Sequence, residues 1–270
     1  MQVTLMSGSL SRIGAMTLRY FYILKSSWPR LLELVYWPAM QMLVWGFLQL
    51  FLSSDHSSFA KISGTFVGAV LLWDVLFRGQ LGFSISFLEE IWSRNMANLM
   101  MSPLRPIELA AALMLISFLR LLIGMIPVSI LALGLFGFNI YGLGLPLIVF
   151  FISLVLTAWA IGLGVCGLVL RYGMGAESLA WSLVTLLLPL CCVYYPVWIL
   201  PEWLQPISWS LSPTYVFEGL RAAVLDHEFR VDLMLKALSL NVIYLSLGLA
   251  TFILLLRNAR RNGTLATVGE

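Results

Sequence analysis

The chain consists of long apolar runs separated by short polar stretches. A helix needs about 20 apolar residues to cross a hydrocarbon core of about 30 Å. Six runs approach or exceed that length, at about residues 34–52, 62–88, 107–136, 145–170, 179–199 and 233–256. No alternation of apolar and polar residues typical of strands competes with them. The pattern predicts an all-α integral membrane protein with six transmembrane helices, forming a single domain over residues 1–270.

The segment 8–31 has a different pattern. Its apolar residues recur at helical spacing, and Arg12, Arg19 and Arg30 share another face. This amphipathic pattern predicts an N-terminal helix that lies along the membrane surface.

Composition supports the membrane assignment. Of 270 residues, 60% are hydrophobic and 11% are charged, which excludes an ordinary soluble domain. Cys166, Cys191 and Cys192 all lie within apolar runs and lack the spacing of a disulfide framework or a metal site. The formal net charge is only +3, and we expect no nucleic-acid partner.

The distribution of Lys and Arg predicts the orientation. With both termini in the cytoplasm, ten of these residues near the span ends lie inside and four lie outside, which favours this topology. The inside residues are Arg12, Arg19, Lys25, Arg30, Arg94, Arg105, Arg171, Arg257, Arg260 and Arg261; the outside ones are Lys61, Arg221, Arg230 and Lys236.

The cytoplasmic connection 89–105 carries a candidate docking element. Its core, 91–101, favours a short helix, and Pro103 and Pro106 prevent that helix from running into the third span. A partner docking on this helix is one interpretation, and an interfacial turn that only anchors the span is the other. The candidate docking residues are Ile91, Arg94, Asn95, Met96, Asn98, Leu99, Met100 and Met101.

The external connection 194–225 is rich in aromatic residues and is interrupted by four prolines. Its apolar pieces of about ten residues are too short to span, so it is expected to enter the outer leaflet and return. Ser212 and Pro213 predict the N-cap and first turn of a helix that runs past Arg221. A gate and an ordinary aromatic belt are both compatible with this composition. The candidate gate residues are Tyr194, Tyr195, Pro196, Trp198, Trp203, Trp209 and Tyr215.

Three charged residues fall inside predicted spans. Asp74 and Arg78 are four residues apart and can pair, and Arg120 can lie at a comparable depth in the third span. A charge at mid-bilayer costs on the order of 3 kcal/mol and needs a partner or water. The cluster either locks spans two and three together or faces a transport pathway and contacts an anionic group.

Enzyme signatures are missing from the sequence. No Gly-x-x-x-x-Gly-Lys-Ser/Thr motif occurs, so the chain is not expected to bind ATP. Gly162, Gly164 and Gly167 spell GxGxxG inside the fourth span without a preceding strand, and helix packing explains these glycines better. His56 and His227 have no metal-ligand spacing around them, so no catalytic or metal site is predicted.

The order of these elements resembles a known family. Four short motifs carry the resemblance: Ser102-Pro103-Leu104 after the predicted cytoplasmic helix, Pro-x-x-x-Leu-Pro-x-Trp-Leu from residue 196, Ser-Pro-Thr-Tyr from residue 212 and Glu-Gly-Leu-Arg from residue 218. The chain thereby resembles permeases of the second class of ABC exporters, which includes bacterial polysaccharide, teichoic-acid and drug exporters. The resemblance implies that 91–101 is a coupling helix for a separate ATPase subunit and that 194–225 is a re-entrant helical hairpin.

The leading functional hypothesis is therefore an exporter permease of the bacterial cytoplasmic membrane. It would act with a second copy of itself or a related permease, among membrane lipids, and ATP and magnesium would bind to the partner ATPase. An ion-gradient-driven transporter or channel, or a membrane-embedded enzyme acting on lipid-linked substrates, are the alternatives. A lipid, a drug-like molecule and a glycan all remain open as cargo.

Overall fold

The computed structural model of the chain describes residues 2–55, 57–137 and 139–262, and within them the side chains of 8–51, 65–99, 101–137 and 139–261. These residues are almost entirely helical and include no strand. The α-helices are α1 (Gln2–Lys25), α2 (Trp28–Asp55), α3 (Ser57–Trp92), α4 (Met96–Met101), α5 (Pro106–Phe136), α6 (Leu145–Tyr172), α7 (Leu179–Leu190), α8 (Gln205–Trp209), α9 (Ser212–Arg221) and α10 (Val231–Asn262). Single turns lie at Ile140–Leu143, Gly173–Ala176, Val197–Ile199 and Ala222–Asp226.

Five of the described helices, α2, α3, α5, α6 and α10, are long and apolar enough to cross a membrane. The chain is thus an all-α multi-pass membrane protein, as predicted. The fifth predicted span, 179–199, is much shorter than expected, because α7 has 12 residues, about 18 Å of helix. Pro189 lies at its end, and Cys192 adopts a left-handed conformation (φ 53°) that turns the chain away from the helix axis.

The predicted surface helix 8–31 is also divided. The helix α1 ends at Lys25, and α2 begins at Trp28 with Pro29 in its first turn, where the missing N–H of proline costs nothing. One face of α1, including Tyr20 and Leu24, is buried against the bundle.

The centre of the bundle is α6, which packs against α3 on one side and α10 on the other. Small residues allow these approaches, as predicted for the fourth span. A Cβ added to Gly248 of α10 would lie 2.9 Å from the carbonyl oxygen of Ala160, and one added to Gly162 would lie 2.8 Å from the ring of Phe83. Gly164, in contrast, has no neighbour within 4 Å on that side.

Two hydrophobic clusters fill the bundle. One contains Phe150 and Phe217 at the end near α9, and the other contains Phe83, Phe87 and Phe252 at the end near α4. Because α3 contributes to both clusters, this 36-residue helix connects the two ends of the molecule.

Candidate functional site

The connection between α3 and α5 contains the predicted docking helix in two pieces. The prediction of one helix over 91–101 is wrong in its first part, because α3 continues to Trp92 and Ile91 is buried at its end. The chain then turns at Arg94, which has a left-handed backbone (φ 54°) and donates its N–H to the carbonyl of Ile91 at 2.8 Å. The separate helix α4 begins at Met96.

The six-residue helix α4 is amphipathic. Met96 and Leu99 are buried in the cluster near this end of the bundle. The side chains of Arg94, Asn98 and Met101 are exposed, with Met101 at 79%. The connection therefore has an anchored side and an outward side, and only the outward side is available to a partner. The side chain of Met100 lies outside the described ones.

Glu90 links the chain between α3 and α5 to the N-terminal helix α1. This residue was not singled out in the sequence analysis. Its carboxylate is 2% exposed and accepts hydrogen bonds from the Arg19 guanidinium at 2.6 and 3.1 Å. It also accepts one from the Asn95 amide at 2.7 Å. Burial, and then the charge of Glu90, raise the pKa of the neighbouring Tyr20 phenol well above its ordinary value, so this phenol stays neutral.

A second ion pair fixes α1 to the start of α5. Glu108 accepts hydrogen bonds from Arg12 Nε at 2.8 Å and from the Ser9 hydroxyl at 2.7 Å. Arg12 and Arg19 are seven residues apart on one face of α1, and each meets an acid at a span end. The sequence did contain a signal for these two ion pairs. It has two arginines seven residues apart in α1 and acidic residues at the ends of two spans.

The three intramembrane charges do not pair with one another as one group, although Arg78 and Arg120 line the same hollow. Arg78 Nε lies 3.7 Å from Asp74, so the i,i+4 pairing is confirmed as an ion pair, although it is too long for a hydrogen bond. Arg120 instead pairs with Glu89 at 3.1 Å. Glu89 also forms an ion pair with Arg30, with a nitrogen–oxygen distance of 3.3 Å. The Arg120–Glu89 pair joins α5 to α3, so spans two and three are linked through Glu89 and not through Asp74 and Arg78.

The external segment folds as short helices. A helix does begin at Ser212, as predicted, and after α9 ends at Arg221 the chain continues in the turn Ala222–Asp226. The capping role of Ser212 is wrong, because Leu211 occupies the cap position and the Ser212 hydroxyl donates to the carbonyl of Ala237 at 3.0 Å.

Four of the seven predicted gate residues line one cavity. A cavity of about 760 Å³ is lined by Tyr194, Pro196, Trp198 and Trp209, together with charged residues that include Glu218 and Arg221. The other three predicted gate residues, Tyr195, Trp203 and Tyr215, do not line this cavity.

One aromatic contact joins the external segment to α2. The ring of Tyr194 stacks on Trp45 with centroids 4.6 Å apart and an angle of 21° between the planes. This ring pair connects one residue of the cavity wall, Tyr194, to α2.

The Glu-Gly-Leu-Arg motif holds the external segment together. Glu218 accepts a hydrogen bond from the N–H of Val197 at 2.8 Å and pairs with Arg221 at 2.9 Å. Gly219 allows α9 to approach α10 and α6, since an added Cβ would lie 2.6 Å from Met234 and 3.2 Å from Phe150. Each of these contacts is structural.

Metal chemistry finds no support in the part of the chain that the structure describes, where no group of three His, Cys, Asp or Glu side chains could hold an ion. His227 is exposed after α9, and His56 lies outside the described residues. Cys191 and Cys192 are buried, and the Cys192 thiol lies 3.2 Å from the Ser208 hydroxyl.

Comparison with known proteins gives one finding that identifies the family. No curated protein matches the chain. The family of ABC-2 type transporters matches residues 12–225, which extend from α1 through α9 and include both the connection with α4 and the external segment. The match covers most of the chain and agrees with the resemblance seen in the sequence, so the protein belongs to the ABC-2 type transporter family and is a multi-pass membrane permease of an ABC transporter.

Proposed function

We propose that this chain is the membrane-spanning subunit of an ATP-driven exporter in a bacterial cytoplasmic membrane. A separate ATPase subunit binds ATP and magnesium and hydrolyses the ATP, and this chain is not catalytic by itself. The observation that carries the proposal is the outward side of the α3–α5 connection, formed by Arg94 and by Asn98 and Met101 of α4, within a family of ABC transporters.

The mechanism follows from how α4 is attached. Met96 and Leu99 anchor it to the cluster that also contains the end of α3. A push on α4 by an ATPase is therefore passed to α3, which is about 54 Å long and contacts α9 through Trp73 and Phe217, whose ring centroids lie 6.5 Å apart. Motion at the cytoplasmic end is thus transmitted to the external segment.

Two copies of the chain, or this chain and a related permease, form the pathway in this proposal. Helices α2 and α10 support it, since only 17% and 11% of their most apolar stretches are buried within the protomer and both expose large apolar side chains. With both termini in the cytoplasm, the external segment 194–225 parts to release cargo on the outside.

The test is co-purification with an ATPase subunit that carries a Walker motif, after co-expression of the two. Met101→Asp places a charge on the outward side of α4 without touching its anchors, and we expect it to abolish both co-purification and ATP-dependent transport. Tyr172→Asp is the matched control, because Tyr172 is also exposed at the same predicted end of the bundle but lies outside α4. Equal loss with both variants would count against docking at α4. Transport that needs an ion gradient and no ATPase would favour the ion-coupled alternative.

A further inference from the structure

A cleft opens along the side of the bundle between α2, α3 and α7. It consists of two adjoining hollows of about 260 and 540 Å³. Both hollows are lined by Glu33, Arg78, Leu81 and Trp181, so they form one continuous space, which we call the α2 cleft.

The smaller hollow is strongly charged. Arg30, Arg78 and Arg120 line it together with Glu33 and Glu89. Glu89 is already satisfied, since it lies between Arg30 at 3.3 Å and Arg120 at 3.1 Å.

In the part of the chain that the structure describes, the Arg78 guanidinium lacks hydrogen bonds that would compensate for its burial. The side chain is 12% exposed, Asp74 is 3.7 Å away, and among the described residues its buried Nε has no hydrogen-bond partner. The buried Nε of Arg120 also has none. A buried N–H without an acceptor costs about 1–3 kcal/mol, and more when the group is charged. Both arginines line the smaller hollow, so two incompletely hydrogen-bonded guanidinium groups lie at its wall.

The two guanidinium groups come from different helices at similar depth. A Cβ added to Gly82 would lie 3.7 Å from the Cβ of Arg120, and Arg78 is four residues, about one turn, from Gly82 on the same helix. A tetrahedral phosphate can accept hydrogen bonds from two such directions at once, and arginine forks match its oxygens.

The larger hollow is mainly apolar and aromatic. Most of its wall beyond the shared residues is formed by Trp37, Met40, Val44, Trp45 and Phe77. A ligand that fills both hollows thus carries an anionic head and an apolar body.

We propose that the α2 cleft is the substrate site and that it binds an amphiphile with a phosphate-type anionic head. The head accepts hydrogen bonds from Arg78 and Arg120, and the apolar body lies against Trp37 and Phe77. This inference names the substrate class of the proposed exporter and rests on that function. Asp74 competes with the ligand for Arg78, so removing the Asp74 charge strengthens binding.

Decyl phosphate is the probe, and its binding to the purified chain in a neutral detergent is measured by native mass spectrometry. We expect Arg78→Gln to weaken binding about tenfold or more, because a charge-assisted hydrogen bond is lost. Asp74→Asn is expected to bind at least as tightly as the parent protein. Arg257→Gln, which alters an exposed arginine of α10 away from the cleft, is expected to have no effect. Val44→Trp, at an exposed position of the apolar hollow, is expected to weaken binding without an effect on folding.

Three further probes separate the contributions of the anionic head and the apolar tail to binding. Inorganic phosphate tests the free anion, decanol tests the apolar tail alone and decyltrimethylammonium tests an amphiphile of opposite charge. Tight binding of any of these three would overturn the proposal. Equal loss with Asp74→Asn and Arg78→Gln would do so as well, because it would mean that the pair is only structural. The binding assay does not involve the ATPase subunit, so its outcome is independent of the co-purification test.

Discussion

Glu90 offers the sharpest test of how the end of the bundle near α4 is held together. Its buried carboxylate accepts two hydrogen bonds from Arg19 of α1 and one from Asn95, the residue before α4. Glu90→Gln keeps the shape of the side chain but removes the charge and one acceptor oxygen. The new amide nitrogen would then face N–H donors that it cannot satisfy.

The size of the effect can be worked from these contacts. A hydrogen bond to a charged group contributes about 1.5–3 kcal/mol, and the substitution weakens or removes at least two of the three. Arg19 is 37% exposed and regains water, which offsets part of the loss. We therefore expect a net cost of about 2–3 kcal/mol, which corresponds to about a 30- to 150-fold change in the local opening equilibrium.

Hydrogen exchange of the purified protein, measured by mass spectrometry, reports this opening. Amides of 95–102 are expected to exchange faster by about that factor, with a smaller effect in α1 and none in α6. Glu177→Gln is the matched control, since Glu177 lies nearby and receives a long hydrogen bond of 3.4 Å from Trp92. Unchanged protection of α4 in Glu90→Gln, or an equal change in the control, would refute the assigned role of Glu90.

Three further substitutions test the packing of the bundle and the external segment. Gly248→Val is expected to lower the free energy of unfolding by about 1–3 kcal/mol, because the larger side chain is overpacked against α6. Gly164→Val meets open space and is expected to leave the free energy of unfolding within about 1 kcal/mol of the parent value. Thermal unfolding in detergent compares the two variants. Asn241→Leu removes three buried hydrogen bonds of 2.6–2.8 Å between α10 and α6, and is expected to lower the free energy of unfolding by about 1–2 kcal/mol in the same assay. A variant as stable as the parent protein would mean that this network contributes little. Glu218→Gln weakens the bond to the N–H of Val197 and should speed proteolysis within 193–226; cleavage at the parent rate would argue against Glu218 as the tie that holds this segment.

Local sequence was enough to predict most of the spans. The predicted segments 107–136 and 145–170 nearly coincide with Pro106–Phe136 and Leu145–Tyr172. Their ends are marked by proline in the first turn and by Gly137 and Gly173, both with positive φ, immediately after the last turn. These signals act within a few residues, so no tertiary contact is needed to interpret them.

The end of α7 could not be predicted in the same way. Residues 179–199 are apolar throughout, and composition does not distinguish a helix that continues from one that stops and turns. In the structure, Cys191 is fully buried and the Cys192 thiol meets Ser208 of the external segment. That contact spans 16 residues and depends on how the external segment folds back.

Hydropathy and charge bias thus determined that the chain is a helical membrane protein, where most helices lie, and which two connections are unusual. They also placed Asp74 and Arg78 on one helical face, since a four-residue spacing fixes that pair. Tertiary structure alone decided that Arg120 pairs with Glu89, that Arg19 pairs with Glu90, and that Arg78 and Arg120 line one hollow of the α2 cleft. The physical reason is that helical periodicity fixes neighbours within one helix, whereas partners on different helices are set by which helices pack together and at what depth.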